Sequence, residues 1–184
     1  MLNLNALSLF ASAGIAETYF ERHGIHVRVA AELLEERVKI YRQMYPEVNM
    51  FQGDLTIEDN YNKVIEAARE AGCNFLLATP PCQGMSKAGL KKKTDPRNSL
   101  ILVVLKAIKD IRPQFVIIEN VPEIISAHIN YEGDIVNVND LLVRELGEEY
   151  NFNNRKIVNT MNYGIAQSRE RCVFLLSRKD SNVK

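Results

Sequence analysis

Short apolar runs alternate with longer stretches in which apolar residues recur every three or four positions. The apolar runs predict strands at residues 6–10, 26–31, 48–52, 74–79, 115–119, 155–159 and 172–177. The periodic stretches predict helices at residues 15–23, 34–44, 57–71, 99–111 and 139–149. Such alternation is typical of a doubly wound α/β sheet with parallel strands and right-handed crossovers. No helical pattern separates the last two strands, so we expect them to pair as an antiparallel edge.

A cysteine directly follows the fourth predicted strand. That strand ends at Thr79, the prolines Pro80 and Pro81 stop it and stiffen the turn, and Cys82 comes next. Ligands of open α/β sheets bind at the carboxyl ends of the strands, so this thiol is placed to act as a nucleophile. The alternative is a small buried hydrophobic residue, which is what most free cysteines are. The Pro-Pro-Cys-Gln sequence at a strand-to-loop junction favours the nucleophile.

Two further groups of polar residues lie at strand ends. Glu119 ends the next predicted strand, where its carboxylate would sit beside Cys82, although a lone glutamate there is more often a helix cap or a solvated loop end. Arg169 and Arg171 stand just before the last strand, in a segment that by itself is an ordinary charged surface turn. The three groups together give a nucleophile, a carboxylate and two guanidinium groups.

The composition narrows the class of protein. The chain has 184 residues and is 46% hydrophobic, which is enough for one domain with a core, at residues 1–178, followed by a polar tail at 179–184. The 23 basic and 23 acidic residues balance, so the global basic field of strong nucleic-acid binders is absent. Three cysteines argue against a disulfide framework, and no Cys/His spacing indicates a metal site. We also predict no membrane span and no signal peptide.

Taken together and in this order, three segments resemble the DNA cytosine-5 methyltransferases. They are Pro80-Pro81-Cys82-Gln83, Glu119-Asn120-Val121 and Gln167-Ser168-Arg169-Glu170-Arg171. The first and third are specific as a pair, and the resemblance covers residues 7–176. It implies the Rossmann-like, S-adenosylmethionine-dependent methyltransferase sheet, mostly parallel with an antiparallel final strand. A nicotinamide-binding enzyme is the rival for such a sheet, but residues 11–14 lack the G-x-G-x-x-G pattern that approaches a pyrophosphate.

The resemblance implies covalent catalysis on a cytosine flipped out of double-stranded DNA. Cys82 would attack carbon-6 of the ring, and Glu119 would hold a proton on ring nitrogen 3. Arg171 would donate to the ring carbonyl oxygen, and Arg169 would orient the neighbouring groups. The implied substrate-binding residues are Pro81, Gln83, Ser86, Lys87, Asn120 and Val121. The lysines at 91–93 would belong to a mobile loop that faces phosphates.

The resemblance also implies S-adenosylmethionine as the cofactor. Residues 8–15 resemble the family's first motif, usually Asp-Leu-Phe-x-Gly-x-Gly-Gly, from which Ser8, Ser12 and Ile15 depart. Glu32 resembles the acidic residue that binds the cofactor ribose, and Asp54 resembles the one that reads the adenine amino group. The implied cofactor-binding residues are Phe10, Ala11, Gly14, Ile15, Glu32, Leu33, Asp54, Leu55, Pro80 and Leu100.

Family members that work as one chain continue past the paired arginines into a target-recognition region and further motifs. Nothing in this sequence resembles that region. We therefore expect the catalytic subunit of a split restriction-modification methyltransferase, acting in the bacterial cytoplasm or nucleoid with a complementary subunit; a truncated piece of a longer chain is the alternative. An apolar surface should then be exposed beside the first strand and residues 15–20.

Two other functions share much of this sequence evidence. A tRNA cytosine-5 methyltransferase would use the same cysteine, glutamate and arginines, so only substrate assays separate it from the DNA enzyme. A non-catalytic partner that keeps the cofactor fold is the second. The presence of every catalytic candidate argues against the second function.

Overall fold

A computed structural model describes residues 3–81, 100–154 and 156–181 of the protein. In chain order its strands are β1 (Leu4–Leu9), β2 (Ile25–Glu32), β3 (Asn49–Gln52), β4 (Phe75–Ala78), β5 (Phe115–Asn120), β6 (His128–Tyr131), β7 (Asp134–Asn137), β8 (Tyr150–Phe152), β9 (Ile157–Asn159) and β10 (Glu170–Arg178). Its helices are α1 (Glu35–Met44), α2 (Glu58–Glu70), α3 (Leu100–Ile111) and α4 (Val138–Leu146). These elements belong to two compact units, the first made of Met1–Thr79 and Val103–Val116, the second of Pro80–Leu102 and Ile117–Lys184.

The first unit contains four parallel strands in the order β3-β2-β1-β4. Leu9 at the end of β1 pairs with Ala31 of β2 and Ala78 of β4, and Glu32 pairs with Gln52 of β3. Parallel strands bring their carboxyl ends to one edge of the sheet. The loops that follow β1, β2 and β3 therefore lie side by side, where the sequence places most of the implied cofactor residues.

The helix α2 follows the predicted periodicity. It buries Tyr61, Val64, Ile65 and Ala68, which are spaced by three and four residues and so share one face. Gly72 follows it with a left-handed φ of 61°, as expected of a glycine that stops a helix. None of the helices in the described ranges is long and apolar enough to cross a membrane.

The predicted helix at residues 15–23 is wrong. Two short 3₁₀ turns, Ile15–Glu17 and Glu21–His23, stand there instead. An amphipathic helix owes most of its stability to burial of its apolar face. Here Ile15 is 73% exposed and Tyr19 is 61% exposed, so the apolar residues that suggested a helix bury little surface.

The second unit contains the last four residues of β5 together with β8, β9 and β10. Its strand order is β5-β10-β8, and β9 also pairs with β10. The strand β10 runs antiparallel to both β8 and β9, which confirms the predicted antiparallel final strand. With the parallel strands of the first unit, this confirms the predicted Rossmann-like α/β class. Lys179–Ser181, predicted to begin a tail, form a 3₁₀ turn in which Lys179 donates to the Gly147 carbonyl.

A two-stranded hairpin, β6–β7, was not predicted. Tyr131 pairs with Asp134, which leaves Glu132 and Gly133 as a two-residue turn with φ values of 54° and 94°. Two central residues with positive φ are typical of a type I′ turn, whose usual sequence is Asn-Gly or Asp-Gly. The turn has glutamate in the first position, so its sequence does not match the usual pattern. Strands of four residues are also too short to show an alternation of apolar and polar residues.

A carboxylate lies in the interior of the first unit. Glu17 is 2% exposed and accepts hydrogen bonds from the Ser8 hydroxyl and from the Tyr41 hydroxyl, the latter at 2.5 Å. Burial raises the pKa of Glu17 above its ordinary value of 4.5, and the two hydrogen bonds offset only part of that effect. Because the unfolded chain releases this proton near the ordinary value, protonation of Glu17 stabilises the fold below pH 4.5, and this stabilisation is lost as the pH rises through the raised pKa.

We therefore predict that the effect of Glu17→Gln on the free energy of unfolding becomes more stabilising as the pH rises. Glutamine is neutral at every pH, so the free energy of unfolding of the variant minus that of the wild type should increase above pH 4.5 and level off above the raised pKa. Urea unfolding across roughly pH 4–8 measures this difference. The same substitution at the exposed Glu36 is the control. A difference that shrinks with rising pH would contradict the prediction.

Candidate active site

The loop after β1 carries the first of the implied cofactor residues. Phe10, Ser12 and Gly14 have φ values of 59°, 51° and 79°, in the left-handed region that favours glycine. Thr79, which follows β4, donates from its hydroxyl to the Phe10 carbonyl at 2.9 Å. The loop is therefore tied to a neighbouring strand end in an unusual backbone conformation.

Glu32, the last residue of β2, lies at the centre of this group. Its Oε1 accepts from the backbone N–H groups of Leu33 and Leu34, both at 3.0 Å, and its Oε2 accepts from the N–H of Ser12 at 2.9 Å. Arg37 Nη1 lies 3.9 Å from Oε1. A carboxylate offers about four acceptor positions, so these three bonds fix its orientation and leave capacity for a hydroxyl donor. A ribose hydroxyl of S-adenosylmethionine fits that requirement.

The loop after β3 supplies a second fixed carboxylate. Asp54 Oδ1 accepts from both the N–H and the hydroxyl of Thr56, each at 2.8 Å. This turn fixes the side chain so that Oδ2 is the oxygen that could accept from an amino group. Leu55 is buried at 6% exposure, whereas Leu33 is 55% exposed and Ile15 is 73% exposed. A fixed carboxylate followed by an exposed apolar side chain, as at Glu32 and Leu33, suits an adenosine group, which is both polar and flat.

In the second unit, the Glu-Asn-Val segment holds the backbone at Pro80. Asn120 is 5% exposed; its Nδ2 donates to the Pro80 carbonyl at 3.0 Å, and its Oδ1 accepts from the Val121 N–H at 2.9 Å. Asn120, predicted to contact the substrate, thus uses both ends of its amide on the backbone. Its role in substrate binding stays a prediction, as do those of Val121 and of the exposed Pro81.

Glu119 and Arg171 form an ion pair in this unit. Successive strand residues point to opposite faces, so Glu119 faces away from the buried Asn120. Arg171 Nε lies 2.9 Å from Glu119 Oε1, with the glutamate side chain 36% exposed and the arginine side chain 20% exposed. Arg171 Nη1 also donates to the carbonyl of Glu170 at 2.6 Å, which holds the guanidinium in place. The carboxylate and guanidinium that the motifs supply are therefore neighbours.

The loop before β10 is held by its own hydrogen bonds. The Thr160 N–H donates to the Arg169 carbonyl at 2.9 Å, and the Thr160 hydroxyl donates to the Gln167 carbonyl at 2.7 Å. The Arg169 side chain is exposed. Three exposed apolar residues accompany it, namely Met161, Tyr163 and Ile165.

The structure thus brings the predicted residues together in two groups, one in each unit. The first contains Phe10, Ala11, Gly14, Ile15, Glu32, Leu33, Asp54 and Leu55, and the second contains Pro80, Glu119, Asn120 and Arg171. Leu100 begins α3 and is half-buried. The predicted residues Cys82, Gln83, Ser86 and Lys87 and the lysines at 91–93 lie outside the described residues. Within the described ranges, no group of three His, Cys, Asp or Glu side chains could hold a metal ion.

Two residues that hold the loop after β1 were missed by the sequence analysis. Ser12 stood out only as a departure from the usual glycine, yet its N–H is one of the bonds that orient Glu32. Thr79 received no role, although its position directly after a strand is where a hydroxyl can reach the loop of the adjacent strand. For both residues, the only signal in the sequence was their position in a segment that follows a strand, and their residue types gave none.

Comparison with known proteins agrees with these motifs. Residues 4–184 match the family described as C-5 cytosine-specific DNA methylase. M1.HgaI of Avibacterium volantium, named a Type II methyltransferase, is 37% identical over 96% of this chain and 51% of its own length. M.FnuDI of Fusobacterium nucleatum, also named a Type II methyltransferase, is 32% identical over 98% of this chain and 48% of its own length. The chain therefore spans about half the length of these relatives.

Solved structures extend the comparison to the fold. A crystal structure of a Spodoptera frugiperda DNMT2 variant superimposes with a TM-score of 0.73 and 17% identity, over 98% of this chain and 51% of the other. At that identity the likeness concerns the fold alone. The match over residues 4–184 decides the family. The chain belongs to the C-5 cytosine-specific DNA methylases, which are S-adenosylmethionine-dependent methyltransferases.

Proposed function

We propose that this chain is the catalytic portion of a DNA (cytosine-5) methyltransferase acting on double-stranded DNA. One observation carries the proposal. In the second unit, Asn120 holds Pro80, which precedes Cys82 by two residues, and the adjacent Glu119 pairs with Arg171. Pro80 and Arg171 therefore both contact residues at the end of β5, which supports a site there for the Cys82 thiol, the Glu119 carboxylate and the Arg171 guanidinium. Activation of a cytosine ring at carbon-5 would use these three groups.

In this proposal the residues of the second unit activate the ring. Carbon-5 of cytosine is a poor nucleophile until a thiolate adds to carbon-6. The Cys82 sulfur forms that bond, and the ring electrons shift so that carbon-5 becomes enamine-like. Glu119 holds a proton on ring nitrogen 3 and accepts from the exocyclic amine, while Arg171 donates to the carbonyl oxygen. After carbon-5 has taken the methyl group, a base accepts its proton, the electrons of that C–H bond re-form the 5,6 double bond, and the carbon-6–sulfur bond breaks to release the Cys82 thiolate.

The ion pair between Glu119 and Arg171 fits this division of roles. Arg171 Nε lies 2.9 Å from Glu119 Oε1, so each side chain is the other's ion-pair partner. The edge of a cytosine offers an amine, a ring nitrogen and a carbonyl oxygen, so it can replace that contact with separate bonds to each side chain. A stacked base cannot reach such a site, and flipping it out costs about a few kcal/mol.

We assign cofactor binding to the first unit. Glu32 would accept from the ribose hydroxyls and Asp54 from the adenine amino group, with Phe10, Leu33 and Leu55 against the apolar surface. When bound, S-adenosylmethionine supplies the methyl group that carbon-5 takes. The orientation of the Glu32 carboxylate by three backbone N–H groups supports this assignment.

We further propose that a complementary subunit carries the target-recognition region. The relatives are about twice as long as this chain, which leaves half of their length without a counterpart here. The exposed Ile15 and Tyr19 follow β1, where the sequence predicted an apolar surface for missing structure. The formal net charge of zero suits a chain whose partner reads the DNA. Restriction-modification in the bacterial cytoplasm or nucleoid is the setting that the Type II relatives suggest.

Cys82→Ser should abolish methyl transfer and leave S-adenosylmethionine binding nearly unchanged, because only the covalent step is lost. Transfer of a labelled methyl group to DNA, with the complementary subunit present, measures the effect. Cys73→Ser is the control, because Cys73 is a buried thiol of the first unit. With the complementary subunit present, DNA that contains 5-fluorocytosine should trap a covalent complex with the wild type but not with the Cys82→Ser protein. Methylation by the Cys82→Ser protein would remove Cys82 from the mechanism.

Glu32→Ala and Asp54→Ala should each weaken S-adenosylmethionine binding, since each removes a charge-assisted hydrogen bond worth about 1.5–3 kcal/mol. Glu32→Ala should have the larger effect because Glu32 also fixes the Ser12 N–H. Isothermal titration calorimetry on the isolated chain is the measurement. Glu35→Ala is the matched control, since Glu35 is an exposed carboxylate paired with Lys39. Unchanged affinity in both test variants would show that neither carboxylate holds the cofactor.

The chain should be inactive by itself. Its DNA binding should be weak and should fall steeply as salt rises, because only phosphate contacts remain without the recognition region. Addition of the complementary subunit should restore methylation at one-to-one stoichiometry, measured by methyl transfer during titration. Robust, site-specific methylation by the purified 184-residue chain would overturn the split arrangement.

A further inference from the structure

The loop after β1, residues 10–14, is called the cofactor loop because the proposed function assigns cofactor binding to it. It packs against a buried network of hydroxyl groups and one carboxylate. Ser8 in β1 and Tyr41 in α1 both donate to Glu17, which follows the loop. Tyr45, one turn after Tyr41, donates from its hydroxyl to the carbonyl of Gly14 at 2.8 Å. The network therefore joins the strand before the loop, the end of the loop and the helix α1.

The tyrosine rings pack directly against the end of the loop. Gly14 has a φ of 79°, and a Cβ added there would collide with the Tyr45 ring and lie 3.1 Å from the Tyr41 ring. The centroids of the two rings are 4.9 Å apart, so the rings form a continuous surface. Glycine at this position is required both by its backbone conformation and by the tyrosines.

Two residues of the loop have a strained backbone conformation. Phe10 and Ser12 are non-glycine residues with φ values of 59° and 51°. Such conformations persist only where the surrounding contacts determine them. Ser12 is held on one side by its bond to Glu32, and Gly14 is held on the other by its bond to Tyr45. Loss of the second anchor should release the conformation that orients the first.

We propose that Tyr41 and Tyr45, acting through Glu17 and Gly14, are positioning residues that hold the cofactor loop in its binding shape before S-adenosylmethionine arrives. The inference rests on the proposed function, in which this loop and Glu32 bind the cofactor. Neither tyrosine needs to touch the cofactor. Each reduces the loop ordering that binding would otherwise require, which is how preorganisation increases affinity.

The first unit contains a matched control for this role. Tyr61 is 4% exposed and donates to the Asp110 carboxylate at 2.6 Å, just as the fully buried Tyr41 donates to Glu17 at 2.5 Å. Burial raises the pKa of both phenols, and a carboxylate partner adds to the effect. Tyr61 links α2 to α3 rather than α1 to the loop, so Tyr41→Phe and Tyr61→Phe each remove a bond from a phenol to a carboxylate, at different places in the first unit.

Calorimetric titration with S-adenosylmethionine and amide hydrogen exchange together test the positioning role. Tyr41→Phe and Tyr45→Phe should each raise the Kd of the cofactor roughly five- to thirtyfold. Tyr61→Phe should also lower the urea midpoint but keep the Kd within about twofold of wild type. Without cofactor, the Ser12 and Gly14 amides should exchange faster in the first two variants only.

The outcomes separate this inference from the proposed function. Wild-type affinity and exchange rates in Tyr41→Phe and Tyr45→Phe would overturn the positioning role, as would equal weakening by Tyr61→Phe. If Tyr41→Phe does not fold, Tyr45→Phe carries the same test, since it acts on Gly14 directly. A wild-type chain that binds no S-adenosylmethionine would contradict the proposed function, and the amide exchange rates would still decide whether the tyrosines hold the loop.

Discussion

The carboxylate of Glu32 is the constraint on which the geometry of the first unit depends. Its two oxygens accept from Ser12 in the loop after β1 and from Leu33 and Leu34 in its own loop. The backbone carbonyl of Glu32 accepts from the N–H of Gly53, in the loop after β3, at 3.0 Å. One residue therefore fixes three adjacent loops relative to one another. A ligand that binds this carboxylate meets a site whose other walls are already in place, so little ordering opposes binding.

The second unit shows how one strand end can serve structure and chemistry at once. Because side chains alternate along a strand, consecutive residues can be used for different purposes. Asn120 is buried and uses both ends of its amide on the backbone, and so it holds the carbonyl of Pro80. Glu119 points to the opposite face, remains partly exposed and pairs with Arg171. The Glu-Asn pair thus couples the position of Pro80 to that of the proposed acid.

The sequence predicts the parts of this fold that depend on local pattern. Buried strands such as β1 and β4 are apolar runs stopped by turn residues, and the proposed catalytic groups lie in short motifs at or next to strand ends. The turns at residues 15–23 could not be predicted from the sequence. Their form depends on tertiary packing, in which the apolar side chain of Ile15 is exposed and the charged side chain of Glu17 is buried. The role of Asn120 also depends on a contact 40 residues away, which no local pattern encodes.

Two of the three departures from the family's first motif, Ser12 and Ile15, lie in the loop after β1 and are compatible with the backbone conformation found there. Ser12 adopts a φ of 51°, which costs a non-glycine residue roughly 1–2 kcal/mol. Its N–H donates to a carboxylate, a bond worth about 1.5–3 kcal/mol, which is enough to offset that cost. Ile15 begins a 3₁₀ turn, where no left-handed conformation is needed, and its side chain is exposed. Ser12 and Ile15 therefore add side-chain atoms to a loop whose backbone is held by Glu32, Tyr45 and Thr79.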